Sequence, residues 1–321
     1  FKNIKYLDPT LILWRSSAQW IGGLFFLFFL IIIFSNKLFN YKMTNLSYSG
    51  DNNFKSEENI KDNLLRIFII YLVLSIIILS LLNLTGVRLF NSLNMTMTLV
   101  SGGGFLPTEN IEKIILTNFQ KIILIFSLFI SILNFFLILN ILNKNILIKE
   151  HKEDFYLIVL SIIFFLLIYF NNYQGLDLII SVVSSLANSG LTLMESNNNL
   201  SLYFLLITII GGSLISNSSG IKITRFYILL KITSLEIIKL ISPNSIMNKT
   251  IFNSDKKISD DNVKISFLIF ISFFLSLFIL SSILIFDNID FEKSFKLSIL
   301  TITNTTTSAM FGIEKMDFAS L

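Results

Sequence analysis

The chain lacks cysteine altogether, so it has no disulfide, no thiolate metal site and no cysteine nucleophile. A single histidine, His151, excludes a histidine-rich metal centre and argues against a histidine-based triad. Charge is scarce: 14% of the 321 residues are Asp, Glu, Lys or Arg, against about 25% in ordinary soluble domains. Proline is scarce too, at 3 residues, beside abundant Ile, Lys, Asn and Phe. That bias is the mark of an AT-rich genome and says nothing about function. No basic n-region, apolar h-region and cleavage site open the chain. What fills it instead is apolar: 53% of residues are hydrophobic, 33 are Phe, and mean hydropathy is +0.74. Over half the exterior of a folded soluble protein is already apolar, so a soluble globule could not hide this much. Lipid must cover it. We therefore expect an integral membrane protein, and exclude a soluble enzyme, a nucleic-acid binder and a disordered chain. The net charge of +4 implies no anionic partner, because in a membrane the location of charge matters more than its sum.

A spanning helix needs about 20 mostly apolar residues. Six stretches qualify: 11–34, 64–84, 117–142, 155–170, 200–240 and 263–286. They are continuous apolar runs without alternation, which predicts helices and argues against a barrel. Between them lie three shorter, Ser/Thr-rich stretches, 90–100, 176–187 and 291–303. Each is too short to cross, and each runs into a polar segment of small residues. Those segments are Ser101-Gly102-Gly103-Gly104-Phe105, Asn188-Ser189-Gly190-Leu191 and Asn304-Thr305-Thr306-Thr307-Ser308. The pattern of span, half-helix, polar loop and span recurs, which marks an internal repeat. A half-helix that returns to its own side is tolerated only where protein or water surrounds it.

Charge supports one orientation. If the polar loops dip in from outside, the inner segments 36–66, 143–154 and 222–264 hold 5, 3 and 8 Lys or Arg, which is 16 of the chain's 25. Segment 171–203 holds none. Positive charge prefers the cytoplasmic side.

The loops have the chemistry of a cation filter. Crossing a bilayer requires the ion's water shell to be replaced, and rings of backbone carbonyls on re-entrant loops do this. Gly frees the backbone to turn carbonyls inward, and Ser and Thr add oxygens. Any one such run could be a simple loop cap; three at matched positions argue for a filter. The fifth span carries Gly211, Gly212, Ser213, Ser216, Asn217, Ser218, Ser219 and Gly220 inside an apolar helix. This is either a packing kink of small residues or an unwound segment on a permeation path.

Several motifs are similar to the TrkH/KtrB potassium-transporter superfamily. Trp14-Arg15-Ser16 with Gln19-Trp20-Ile21-Gly22-Gly23 resembles the start of the helix after that family's first pore loop. Gly211-Gly212, Ser216, Gly220-Ile221-Lys222 and Arg225 resemble its G-G-x-x-G-S-T-A-G-G-I-K run, where Ile215, Asn217, Ser218 and Ser219 depart from the pattern. Ser101 to Phe105 resembles its second filter, Asn188 to Leu191 the third, and Asn304 to Phe311 the fourth.

The resemblance implies an all-α membrane protein of helix–pore loop–helix units around a central pore. It divides the chain into 1–40 (last helix of repeat one), 41–145 (repeat two), 146–245 (repeat three with the broken helix) and 246–321 (first helix and pore loop of repeat four). A first pore loop before Phe1 and a last helix beyond Leu321 are then expected. It also implies channel-like uptake of K+, or less selectively Na+, held at Ser101, Gly102, Gly103, Gly104, Asn188, Ser189, Gly190, Asn304, Thr305, Thr306 and Thr307. The family's filter glycine aligns with Gly103 and Gly190, and with Thr307 in the fourth loop. Gly211 to Gly220 would be an intramembrane gate, with Lys222 and Arg225 as gate partners or as snorkelling cations at the inner end.

The implied setting is the bacterial inner membrane as a multi-pass homodimer, with a cytoplasmic nucleotide-binding regulatory subunit, no covalently bound cofactor and no nucleic acid. Arg15 reads as an interfacial anchor beside Trp14 and Trp20, His151 as solvated, and Asp177, Asp287 and Asp290 as solvated caps or a cation-attracting mouth. Two rivals stay open: a degenerate, non-transporting subunit of the same fold, and a membrane enzyme. The second would need a cluster of acidic, His or Cys residues at membrane depth.

Overall fold

The computed structural model describes residues 7–35, 60–142, 152–170, 175–194, 198–242, 249–252 and 258–313. His151, the segments 36–59 and 143–151, and the residues after 313 lie outside the described residues. Among those described, the fold is all α. The helices are α1 Pro9–Ser35, α2 Ile60–Leu84, α3 Leu89–Val100, α4 Asn118–Ile132, α5 Phe135–Leu142, α6 Lys152–Tyr169, α7 Gly175–Leu186, α8 Asn198–Ile210, α9 Ile223–Ile241, α10 Asp260–Phe286 and α11 Phe291–Ile302.

Local chemistry sets several of these starts. Asp8 accepts from the Thr10 amide at 3.1 Å and Pro9 occupies the first helical position of α1, where a missing N–H costs nothing. Thr117 and Gln120 form a reciprocal capping box at α4. The Ser259 hydroxyl accepts from the Asn262 amide at the start of α10. Within α1, α2 and α10, residues 9–30, 64–84 and 260–286 are long and apolar enough to cross a membrane.

The outside of the molecule differs from that of a soluble protein, while its core is still mainly Leu, Ile, Val and Phe. Phe25, Phe29, Ile76, Phe155, Leu268 and Phe278 are exposed, while Ser92, Asn94, Thr98, Ser181, Ser184 and Ser298 are buried. Large apolar side chains outside, over an apolar core that also holds hydroxyls, suit a lipid solvent, and the chain is a membrane protein.

The short helices α3, α7 and α11 have 12 residues each. At 1.5 Å per residue they are about 18 Å long, well short of a hydrocarbon core about 30 Å thick. α3 packs against α1, α2 and α4; α7 against α4, α6 and α8; α11 against α10 and α8. They end identically. Gly102, Asn188 and Asn304 take φ of 70°, 57° and 50°. The next amide then reaches back to close a Schellman motif: Gly103 to Thr98 O at 2.8 Å, Ser189 to Ser184 O at 3.0 Å, and Thr305 to Leu300 O at 2.8 Å. The repeat read from the sequence is thus a repeat of backbone hydrogen bonds.

One expected element differs. The stretch 117–142 is two helices, broken at Leu133 and Asn134. The break is held by partners distant in sequence. The Ile132 carbonyl accepts from the Ser213 amide at 3.0 Å, and the Phe135 amide donates to Ile215 O at 3.0 Å. The Asn134 amide donates to Asp154 Oδ1 at 2.9 Å. The stretch 200–240 breaks where its glycines predict, into α8, a loop and α9.

Candidate functional site: three converging loops above an interrupted helix

The Schellman caps fix the register of the three loops. Gly102, Asn188 and Asn304 are equivalent; so are Gly103, Ser189 and Thr305, and so are Gly104, Gly190 and Thr306. The alignment by sequence pairs Gly103 with Gly190 and Thr307. The backbone corrects this: the position matching Gly190 is Gly104 in the first described loop and Thr306 in the last. Thr307 falls one residue further on and is exposed.

The equivalent positions meet in space. The Thr306 hydroxyl donates to Ser189 O at 2.5 Å. A methyl group on Gly104 would overlap Ser189 O and the Thr306 side chain, and one on Gly190 would overlap Thr306 O and Oγ1. Gly104, Ser189, Gly190 and Thr306 therefore form one cluster in which only glycine fits at two positions. Gly103 faces α1, where the Gln19 amide fills the space a side chain would need. Gln19 Oε1 is buried without a partner, and its place beside the loop had no signal in the sequence beyond the motif around it.

Other expected loop residues serve the scaffold. The Ser101 hydroxyl donates to Met97 O at 2.8 Å on its own helix. The Thr305 hydroxyl pairs with Thr303 at 2.8 Å. Asn304 supplies the left-handed cap. Asn188 does more: its amide nitrogen donates to Thr208 O at 2.9 Å and its oxygen accepts from the Ser219 amide at 3.0 Å. It ties the middle loop to the interrupted helix.

The interruption is a closed loop. Ile221 and Lys222 amides donate to Ile209 O and Ile210 O, both at 2.9 Å, capping the end of α8. Gly211 and Gly220, at φ 68° and 87°, let the two strands of the loop touch, since side chains there would strike Ser219 O and Ile209 O. Gly212 donates to Ser218 Oγ at 3.0 Å. Asn217 reaches up to donate to Val100 O at 2.8 Å, at the end of α3. The loop therefore lies directly against the bases of two half-helices. Its first part is held from the other side by the α4–α5 break and by Glu153, whose Oε1 accepts from Leu214 N at 2.7 Å. Lys222 is buried, its ammonium turned into the loop, and Arg225 is half-buried on the next turn of α9.

No family model matches the chain. It is 25% identical over 318 residues to a cation transporter of Methanocaldococcus jannaschii that is itself described as uncharacterized, covering 95% of this chain and 66% of that protein. Among solved structures, the potassium transporter TrkH from Vibrio parahaemolyticus superposes with a TM-score of 0.80 at 19% identity, over 94% of this chain and 64% of TrkH. The chain has the TrkH fold. The resemblance to the TrkH/KtrB superfamily read from its motifs is borne out at the level of the fold, and the chain spans just under two thirds of the length of each of these two proteins.

Within the TrkH fold, Arg15 is no interfacial anchor. Its Nη2 donates to Leu106 O at 2.8 Å and its guanidinium lies 4.5 Å from the centre of the Phe105 ring, clamping the segment after Gly104. Trp14 is exposed and fits the anchoring role alone. Trp20 bonds to Ser75 at 2.9 Å. Gly23 lets α1 approach Ser101, where a methyl group would sit 2.8 Å from the Ser101 Cβ. Asp177 forms an ion pair with Lys121 at 2.5 Å, so it is neither a free mouth charge nor a solvated cap. Asp287 and Asp290 remain exposed, the latter 3.6 Å from Lys293. Among the described residues, no three His, Cys, Asp or Glu are grouped to hold a metal ion.

Proposed function

We propose that the chain lines the pore of a channel-like transporter for K+ or a less selective monovalent cation. The single observation that carries this reading is the convergence of three identically capped half-helices on Gly104, Ser189, Gly190 and Thr306. A helix carries a partial negative charge of about half an electron at its C-terminus, so three C-termini aimed at one place favour a cation there. Backbone carbonyls of the loops replace the ion's water. No bond is made or broken in the passing ion. The similarity to a protein named as a cation transporter and to TrkH supports the same reading.

The loop 211–220 is the gate in this proposal. It sits against the bases of α3 and α7 through Asn217 and Asn188, where it obstructs ions until it moves. Shortening 213–218 raises basal cation flux in a well-folded protein; unchanged or lower flux leaves only a kink. The setting we propose is the plasma membrane, as a homodimer with a cytoplasmic nucleotide-binding regulatory subunit.

Uptake of Rb+ by the full-length protein in a host deficient in K+ uptake tests the transport reading. Uptake above the empty host is expected, and its absence with the protein inserted in the membrane contradicts the reading. One observation favours a second reading, a non-transporting subunit: the Thr306 side chain stands at the meeting point of the loops, bonded to Ser189 O. In that case the native protein shows no uptake, and Thr306→Gly restores it.

A further inference from the structure

We propose that the oxygens of the interrupted loop form a binding site for a dehydrated monovalent cation, and that the Lys222 ammonium fills this site as a tethered substitute. Lys222 is only 5% exposed. Its Nζ faces four oxygens from two residues: Ser216 O at 3.3 Å, Ser216 Oγ at 3.2 Å, Ser218 Oγ at 3.3 Å, and Ser218 O. An ammonium has three donors. Four oxygens around one nitrogen are a shell suited to a spherical ion rather than a one-to-one set of hydrogen bonds.

The hydroxyl hydrogens are already committed elsewhere. Ser216 Oγ donates to Ser213 O at 2.8 Å. The Ser216–Ser218 hydroxyl pair, 2.8 Å apart, must then take its hydrogen from Ser218. Ser218 Oγ meanwhile accepts from Gly212 N at 3.0 Å. All four oxygens therefore turn lone pairs, not hydrogens, toward the ammonium. That is how a cation cage is built.

The backbone is strained to put the ammonium there. Lys222 has φ 78° and ψ 135°, a region ordinarily left to glycine, and such strain persists only where the surroundings over-determine it. Between the two serines, Asn217 touches the base of the first described loop: its carbonyl lies beside Gly102, its amide donates to Val100 O, and its Oδ1 is buried without a partner. An ion coming off the converging loops meets this cage next. Exchange of ion for ammonium frees Lys222 from Ser216 and Ser218 and loosens the loop. The site rests on the pore reading only for where its ion comes from.

The test is thermal unfolding of the purified full-length protein in K+ or Rb+, against N-methylglucamine at equal ionic strength. Lys222→Met keeps the apolar stem and vacates the cage. With K+ at ten times the site's Kd, its folded-to-unfolded ratio rises about tenfold beyond the native protein's own rise. Lys222→Gln leaves a neutral donor in the cage and shows only the native dependence. A Lys222→Met protein with no extra dependence, or one unstable in every cation, makes the ammonium a structural tie and overturns the proposal. Rb+ uptake measured on the native protein separates the two claims. Native uptake without the extra dependence fails the cage alone; the extra dependence without native uptake fails the pore alone.

Discussion

The loops after α3 and after α11 have the same backbone and opposite side chains. Both close a Schellman motif on a left-handed residue, Gly102 at φ 70° in one and Asn304 at φ 50° in the other. Beyond the cap, the first runs Gly103-Gly104 and the second Thr305-Thr306. The cap needs one residue that tolerates positive φ, and Asn meets that need nearly as well as Gly. The lining is a separate matter. At the first loop glycine leaves room that Gln19, Ser189 and Thr306 enter; at the second, Thr306 is what enters. Cap geometry and lining chemistry are thus independent, and a loop can keep the first while losing the second.

The two loops differ most at Gly104. A Gly104→Ala side chain overlaps Ser189 O and Thr306, and overpacking of this kind costs about 1–3 kcal/mol. Rb+ uptake should fall at least about fivefold, since 1.4 kcal/mol is a factor of ten in an equilibrium. Adding Thr306→Gly should recover part of the loss, because only the Ser189 overlap remains. A neutral Gly104→Ala would show that the loops are not packed on one another. Next comes selectivity. Thr306→Gly should raise the preference for K+ over Na+ in competition uptake, while Thr307→Gly, one residue off the register, should leave it nearly unchanged. The reverse ranking would restore the sequence alignment over the hydrogen-bond register.

Smaller effects separate cap from lining. Asn188→Gly keeps the backbone cap but loses the hydrogen bonds to Thr208 and Ser219, at about 1 kcal/mol each, and a longer one to Thr305 at 3.5 Å. Asn304→Gly keeps the cap and loses no such ties, so it should be close to neutral. Thermal unfolding of the two variants side by side measures the difference, and equal losses would contradict it. The smallest effect is Arg15→Lys, which gives up the planar contact with Phe105 while keeping charge. A loss of about 0.5–1 kcal/mol is expected, seen as a modest drop in the unfolding midpoint.

Much of this was legible in the sequence because membrane helices announce themselves by length. The half-helices 90–100, 176–187 and 291–303 match α3, α7 and α11 to within a residue or so. The break at Gly211–Gly220 was legible too. Glycines weaken a helix interior, and clustered Ser and Asn side chains compete for its backbone partners. The break at Leu133–Asn134 was not. Its sequence, Ser131-Ile132-Leu133-Asn134-Phe135, carries no Gly or Pro, and what opens it is pairing with Ser213, Ile215 and Asp154, up to 81 residues away in number. Glu153 was hidden for a similar reason: in a charged run it reads as solvated, and only the fold brings it to Leu214. The loop register slipped by one because three consecutive residues, Gly102 to Gly104 or Thr305 to Thr307, are chemically alike. Which of them starts the cap is decided by hydrogen bonds that composition does not encode.

The proposed transport requires the three loops to hold a dehydrated cation between Gly104, Ser189, Gly190 and Thr306. Anomalous X-ray scattering from crystals of the full-length protein soaked in Tl+, a K+ mimic, shows whether they do. A Tl+ peak among those four residues, weakening when K+ is added in competition, is expected. Tl+ peaks confined to the surface, with that cluster empty, would contradict it.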